Sequence, residues 1–146
     1  MKQINMTYLL LISLVSAMGG LLFGYDWVVI GGAKPFYEPF FGISDLPGLQ
    51  GWAMSSALIG CLFGALLAGF FSDRYGRKKM LIISAAIFLI SAIGTGATSN
   101  FAMFIAYRIL GGFAIGFASN LSPMYIAEVS PANMRGRLVS VYQLTM

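Results

Sequence analysis

Four stretches of this chain, at about 8–32, 51–71, 80–98 and 101–125, stay apolar long enough to cross a lipid bilayer, and a fifth begins near Leu138. A spanning helix requires roughly 20 such residues. The runs lack the alternation of strands, and an open sheet edge cannot face lipid, so the expected secondary structure is helical throughout. Only 10% of the residues are charged, against about 25% in soluble domains, and the mean hydropathy is +0.82. The fold class is an all-α membrane protein, and the lipid bilayer is its first partner.

The charges that remain are placed unevenly. Basic residues cluster between the second and third runs, at Arg74, Arg77, Lys78 and Lys79, and between the fourth and fifth, at Arg135 and Arg137. The 33–50 segment after the first run carries Lys34 against Glu38 and Asp45. Excess lysine and arginine marks the cytoplasmic side. The expected threading therefore has the N-terminus and both basic loops in the cytoplasm and 33–50 outside. The net charge of +4 is a topology signal, and nucleic acid is not an expected partner. Lys2 followed by an apolar run could open a secretory signal, but the run extends to Gly32, beyond a signal core. It reads as an uncleaved first span. Cys61 is the single cysteine and reads as a small packing residue, and there is no histidine. The sequence offers no metal centre, no cofactor motif and no nucleophile–base set, so an enzyme is not expected.

From Val139 to Met146 the fifth helix could climb about 12 Å of a roughly 30 Å hydrocarbon core. The expectation is an N-terminal fragment with four complete spans and an incomplete fifth. Gly60 with Gly64, and Gly112 with Gly116, carry the four-residue spacing that lets membrane helices approach closely.

Two charges lie inside apolar runs, Asp26 and Arg108, and a charge at the centre of a bare helix costs at least about 2.5–3.5 kcal/mol. Asp26 stands six residues before Gly32 and Arg108 seven after Phe101, or roughly 9–10 Å from the same membrane surface. Opposite charges thus reach one depth from opposite chain directions. Phe23 shares a face with Asp26, and Arg108 shares a stripe with Gly112, Gly116 and Ser119. The residues leave open a functional pair on an ion or substrate path, a permanent structural bridge, or side chains reaching to the surface.

The junction Gly69-Phe70-Phe71-Ser72-Asp73-Arg74-Tyr75-Gly76-Arg77-Lys78 closely resembles the signature loop of the major facilitator superfamily. Gly112, Gly116, the run from Pro123 to Glu128, Ser130-Pro131 and Arg135-Gly136 resemble a second signature, that of its sugar porter family, as does the first-span stretch from Gly19 to Asp26. The resemblance implies part of the N-terminal six-helix half of a twelve-span fold working by alternating access, with the C-terminal half as its missing partner. It implies a monosaccharide, pentose or hexose, moved with a proton across the cytoplasmic (inner) membrane. In proton-coupled members an aspartate at the position of Asp26 takes the proton and is paired with an arginine at that of Arg108; uncoupled members usually have a neutral residue there.

The resemblance further assigns Phe23 and Gln143 to the sugar. An amide both donates and accepts, which suits a polyol, although a fifth-helix glutamine by itself reads as packing. Asp73, Arg74, Gly76, Arg77, Glu128 and Arg135 match a cytoplasmic gate whose ion pairs latch between helices. The alternatives are a facilitative uniporter, which would not accumulate sugar against a gradient, and a sugar-sensing receptor, which would bind without turnover.

Overall fold

The computed structural model of the chain describes residues 6–144. Lys2 and the last two residues of the fifth apolar run lie outside them. The elements are α1 (Met6–Phe41), α2 (Pro47–Tyr75), α3 (Arg77–Ala97), α4 (Phe101–Val129) and α5 (Arg135–Leu144), with no strand among the described residues. The first four are long and apolar enough to cross a membrane.

The helix ends have local causes. Gly42 takes φ +66° and closes α1, with the Ile43 N–H donating to the Glu38 carbonyl at 2.9 Å, the arrangement by which a left-handed residue satisfies a helix terminus. Pro47 starts α2, where its missing N–H is not needed, and the Gln50 amide braces the turn by donating to the Ile43 and Ser44 carbonyls at 3.1 and 2.7 Å. Gly76 joins α2 to α3 with φ +87°, a conformation that side chains disfavour. Asn100 caps α4 by accepting from the Ala102 N–H at 2.9 Å.

The 33–50 segment, read from sequence as an external loop, is helical through Phe41. Pro35 and Pro39 sit inside the helix and remove two backbone donors. Tertiary contact holds the extension: the Tyr37 ring lies 5.5 Å from Phe104, and Phe41 lies 5.2 Å from Phe104 and 5.7 Å from Phe101.

α4 is the central helix, flanked by α1, α2, α3 and α5. It runs parallel to α2 and antiparallel to α1 and α3. Leu9 of α1 therefore shares a core with Ile126 of α4, while Ile30 and Tyr37 share one with Phe104. The start of α1, the Gly76 turn and the α4–α5 junction gather at one end, called here the Arg77 end. The 42–46 and 98–100 turns lie at the other, the Ile43 end.

The α2–α4 seam is backbone on backbone. Gly60 and Gly64 face the backbone at Ile109 and Phe113, and Gly112 and Gly116 face the backbone at Ala57 and Cys61, with no room for a β-carbon at any of the four. Such close approach gives membrane helices dispersion contact that side chains would hold apart. The Ser91 hydroxyl of α3 donates to the Tyr107 carbonyl of α4 at 2.6 Å. α5 docks through buried Leu138 and Tyr142, and the Tyr142 hydroxyl donates to the Ser119 carbonyl at 2.9 Å.

Candidate functional site

Asp26 lies in the second half of the apolar part of α1, and Arg108 two turns into α4. Their side chains meet: Arg108 Nη1 donates to Asp26 Oδ1 at 2.6 Å. Side-chain exposure is 8% for the arginine and 18% for the aspartate. Removal from water is expensive for each charge alone, and the short charge-assisted bond is what offsets it. The position of Arg108 is set by the α2–α4 seam, because Gly112, one turn later on the same stripe, is wedged against Ala57.

The pair opens onto a small cleft. Phe23 borders it one turn before Asp26, and α2 and α4 contribute Ala57, Cys61 and Gly112. Cys61 is only partly buried; it packs through its backbone against Gly116 and also borders this cleft. Toward the Ile43 end, the Tyr37, Phe41, Phe101 and Phe104 rings form an aromatic layer. Gln143 is not at the cleft. It lies exposed in the last turn of α5, with no side-chain hydrogen bond among the described residues.

At the Arg77 end a second charged group assembles. Arg77 Nη2 stands 3.1 Å from Asp73 Oδ1, one turn back across the Gly76 junction. Its Nε stands 3.0 Å from Glu128 Oε1 near the end of α4, an ion pair that is not aligned as a hydrogen bond. Arg77 thus ties the α2–α3 turn to α4. Arg77, Lys78 and Lys79 fill the first turn of α3, where the helix dipole disfavours cations, so the two carboxylates offset an unfavourable placement. Arg74 lies over the Tyr75 ring at 5.8 Å. Neither Arg74 nor Arg135 joins an ion pair among the described residues.

Sequence reasoning missed Tyr37 and Glu38, which bury polar atoms beside the aromatic layer, because 33–50 read as loop. It also missed Tyr142, although its spacing from Leu138 is that of one helix face.

Comparison with known proteins fits this geometry. The chain is 46% identical over 142 residues to the glucose transport protein of Synechocystis, covering 97% of this chain and 30% of that one. It is 41% identical to the D-xylose-proton symporter of Escherichia coli, covering 99% and 34% respectively, and 43% identical to the arabinose-proton symporter of Bacillus subtilis, covering 96% and 30%. The inward-open xylose transporter of E. coli superposes with a TM-score of 0.86 at 41% identity, over 94% of this chain and 36% of that one. A structure described as a major facilitator superfamily proton:xylose symporter bound to 6-bromo-6-deoxy-D-glucose superposes at 0.89 with 40% identity, over 97% and 35%. The chain spans about a third of the length of these relatives. The profile of the family described as "Sugar (and other) transporter" matches residues 12–146, and the chain belongs to that family, as a multi-pass membrane segment of the N-terminal half of a major facilitator fold.

Proposed function

We propose that the full-length transporter carrying this segment moves a monosaccharide, pentose or hexose, together with a proton by alternating access across the inner membrane. The observation that carries the reading is the Asp26–Arg108 pair, a 2.6 Å bond between charges that the surrounding helices bury. Protonation of Asp26 removes its charge and with it the attraction holding Arg108, so proton binding alters how α1 meets α4. A buried pair that one proton can dissolve is a two-state element of the kind coupling requires.

In this reading Phe23 offers an apolar face to the sugar from the cleft wall, and Gln143 supplies an amide once the rest of the transporter is in place. The Arg77 cluster acts as a cytoplasmic latch, closed here through Asp73 and Glu128, with Gly76 making the turn and Arg74 and Arg135 held for other states of the gate. The N-terminus and the Arg77 end face the cytoplasm, as the excess of basic residues there favours. Support for the sugar and the proton comes from relatives named as symporters of xylose and arabinose.

The test is uptake of labelled D-xylose, L-arabinose and D-glucose into vesicles holding the full-length transporter. An inward proton gradient should drive accumulation above the external level, and a protonophore should abolish it. Saturable uptake that only equilibrates, with or without the gradient, would instead establish a uniporter.

A further inference from the structure

α4 holds a single carboxamide, Asn120, whose place neither the ion pair nor the latch explains. Of the polar residues in that helix only Asn120 and Glu128 are exposed, and Glu128 belongs to the Arg77 end. Asn120 stands nine residues before Val129, about 13 Å inside the end of the helix. At that depth an amide turned to lipid is costly. Its Nδ2 donates to the Gly116 carbonyl of its own helix at 3.3 Å and to the Ala65 carbonyl of α2 at 3.5 Å. Both bonds are long, and both use the nitrogen. Oδ1 accepts no hydrogen bond among the described residues.

The α2–α4 seam leads to Asn120 from the ion-pair cleft. Gly112 rests on the Ala57 backbone, Gly116 on those of Cys61 and Ala65, and Asn120 reaches the Ala65 carbonyl. Ala57, Cys61 and Gly112 border the cleft, so Asn120 continues that seam two turns toward the Arg77 end. On its other flank stands α5. The Ser119 carbonyl, one residue before Asn120, accepts the Tyr142 hydroxyl at 2.9 Å, and Gln143 follows Tyr142. One hydrogen bond thus joins the immediate neighbours of two carboxamides. Helical side chains lean toward the N-terminus of their own helix, so the α5 backbone at Tyr142 and Gln143 stands nearer the Ile43 end than Ser119 does. Gln143 leans from there toward the Arg77 end, and Asn120 leans the opposite way. The two amides converge on the space between α2 and α5. Both residues are exposed, and Gln143 too makes no side-chain hydrogen bond among the described residues.

We propose that Asn120 binds the sugar together with Gln143, its Oδ1 accepting a hydrogen bond from one sugar hydroxyl on the Arg77 side of the site. The inference rests on the monosaccharide reading above. With Nδ2 turned to two backbone carbonyls, the atom left for the substrate is an acceptor, so the sugar supplies the O–H. An analogue with hydrogen in place of that hydroxyl leaves Oδ1 without a partner. A site built around a substrate hydroxyl rejects an analogue that lacks it, which makes Asn120 a determinant of specificity as well as affinity.

The test is equilibrium binding to the purified full-length transporter. D-xylose, L-arabinose and D-glucose are compared first, then every single-deoxy analogue of the sugar that binds most tightly. Asn120→Leu, which keeps the size and removes the amide, should weaken the intact sugar about three- to tenfold, the worth of one neutral hydrogen bond. One deoxy analogue should bind the parent protein more weakly by the same factor, and Asn120→Leu should bind that analogue as well as the parent does. The remaining analogues should lose the factor in the variant. If Asn120→Leu binds every sugar as the parent does, the asparagine only packs against Ala65 and the contact is wrong. A loss of equal size for every analogue also overturns it, because the effect then depends on no hydroxyl. Asn120→Ser, whose hydroxyl can return to the Gly116 carbonyl, carries the same comparison should the leucine variant not fold. A parent that binds none of the three sugars overturns the monosaccharide reading itself. Normal binding by the parent with no hydroxyl-specific loss in either variant removes the Asn120 contact alone.

Discussion

The α-carbon of Gly112 rests so closely on Ala57 that a β-carbon at residue 112 would overlap the Ala57 backbone. The obstacle is main chain, which cannot rotate aside as a side chain would. Arg108 stands one turn away on α4, so the contact that seats α4 against α2 also sets the height of the arginine.

Gly112→Ala should therefore force α2 and α4 apart and destabilise the bundle by about 1–3 kcal/mol, the usual cost of overpacking. Gly96→Ala is the matched control: Gly96 lies in α3 with nothing near its missing side chain, and alanine is the better helix former. Heating the purified transporter in detergent and following the monodisperse fraction reads both. A Gly112→Ala protein as heat-resistant as the parent would mean the seam is looser than it stands here.

Asp26→Asn should abolish sugar accumulation driven by a pH gradient while leaving counterflow exchange substantially intact, because the amide resembles the protonated acid. Vesicle uptake at several external pH values checks this. Persistent accumulation in proportion to the proton gradient would return the pair to a structural bridge.

The latch offers a contrast between two neighbouring arginines. Arg77 contacts Asp73 and Glu128, whereas Arg74 contacts neither. The Asp73 and Glu128 side chains are 70% and 49% exposed, so solvent screens each pair and its worth is about 0.2–1 kcal/mol. A double-mutant cycle between Arg77→Gln and Glu128→Gln should show coupling of that size in thermal stability. The same cycle with Arg74→Gln should show none. Equal coupling from both arginines would count against the arrangement at this end.

Orientation is tested by labelling. In a Cys61→Ala background, an impermeant thiol reagent added outside should modify a cysteine at Ser44 and spare one at Lys78. Modification at Lys78 in sealed cells would reverse the threading.

Much of this was legible in the residues. Lipid leaves a spanning backbone no hydrogen-bond partner but itself, so the long apolar runs had to become helices, and they did. The motif from Gly69 to Lys78 and the first-span stretch ending at Asp26 carried the family. The roles of Phe23 and Gln143 rest on that likeness and on the proposal above. Less visible was the continuation of α1 to Phe41. Pro35 and Pro39 are stop signals in local terms, and only the docking of Tyr37 and Phe41 on Phe101 and Phe104 outweighs them.

Sequence by itself determined the helices, their alternating chain direction and the equal depth of Asp26 and Arg108, because helix rise and bilayer thickness are properties of the backbone and the solvent. It did not determine which way each helix turns about its axis. Tyr142 is buried and Gln143 exposed although they are adjacent, and Arg77 rather than Arg74 or Arg135 holds Glu128. Those choices come from the tertiary structure. A helix settles its rotation where backbones approach most closely, and here that is between Gly60 and Gly64 on α2 and Gly112 and Gly116 on α4, some fifty residues apart in the chain.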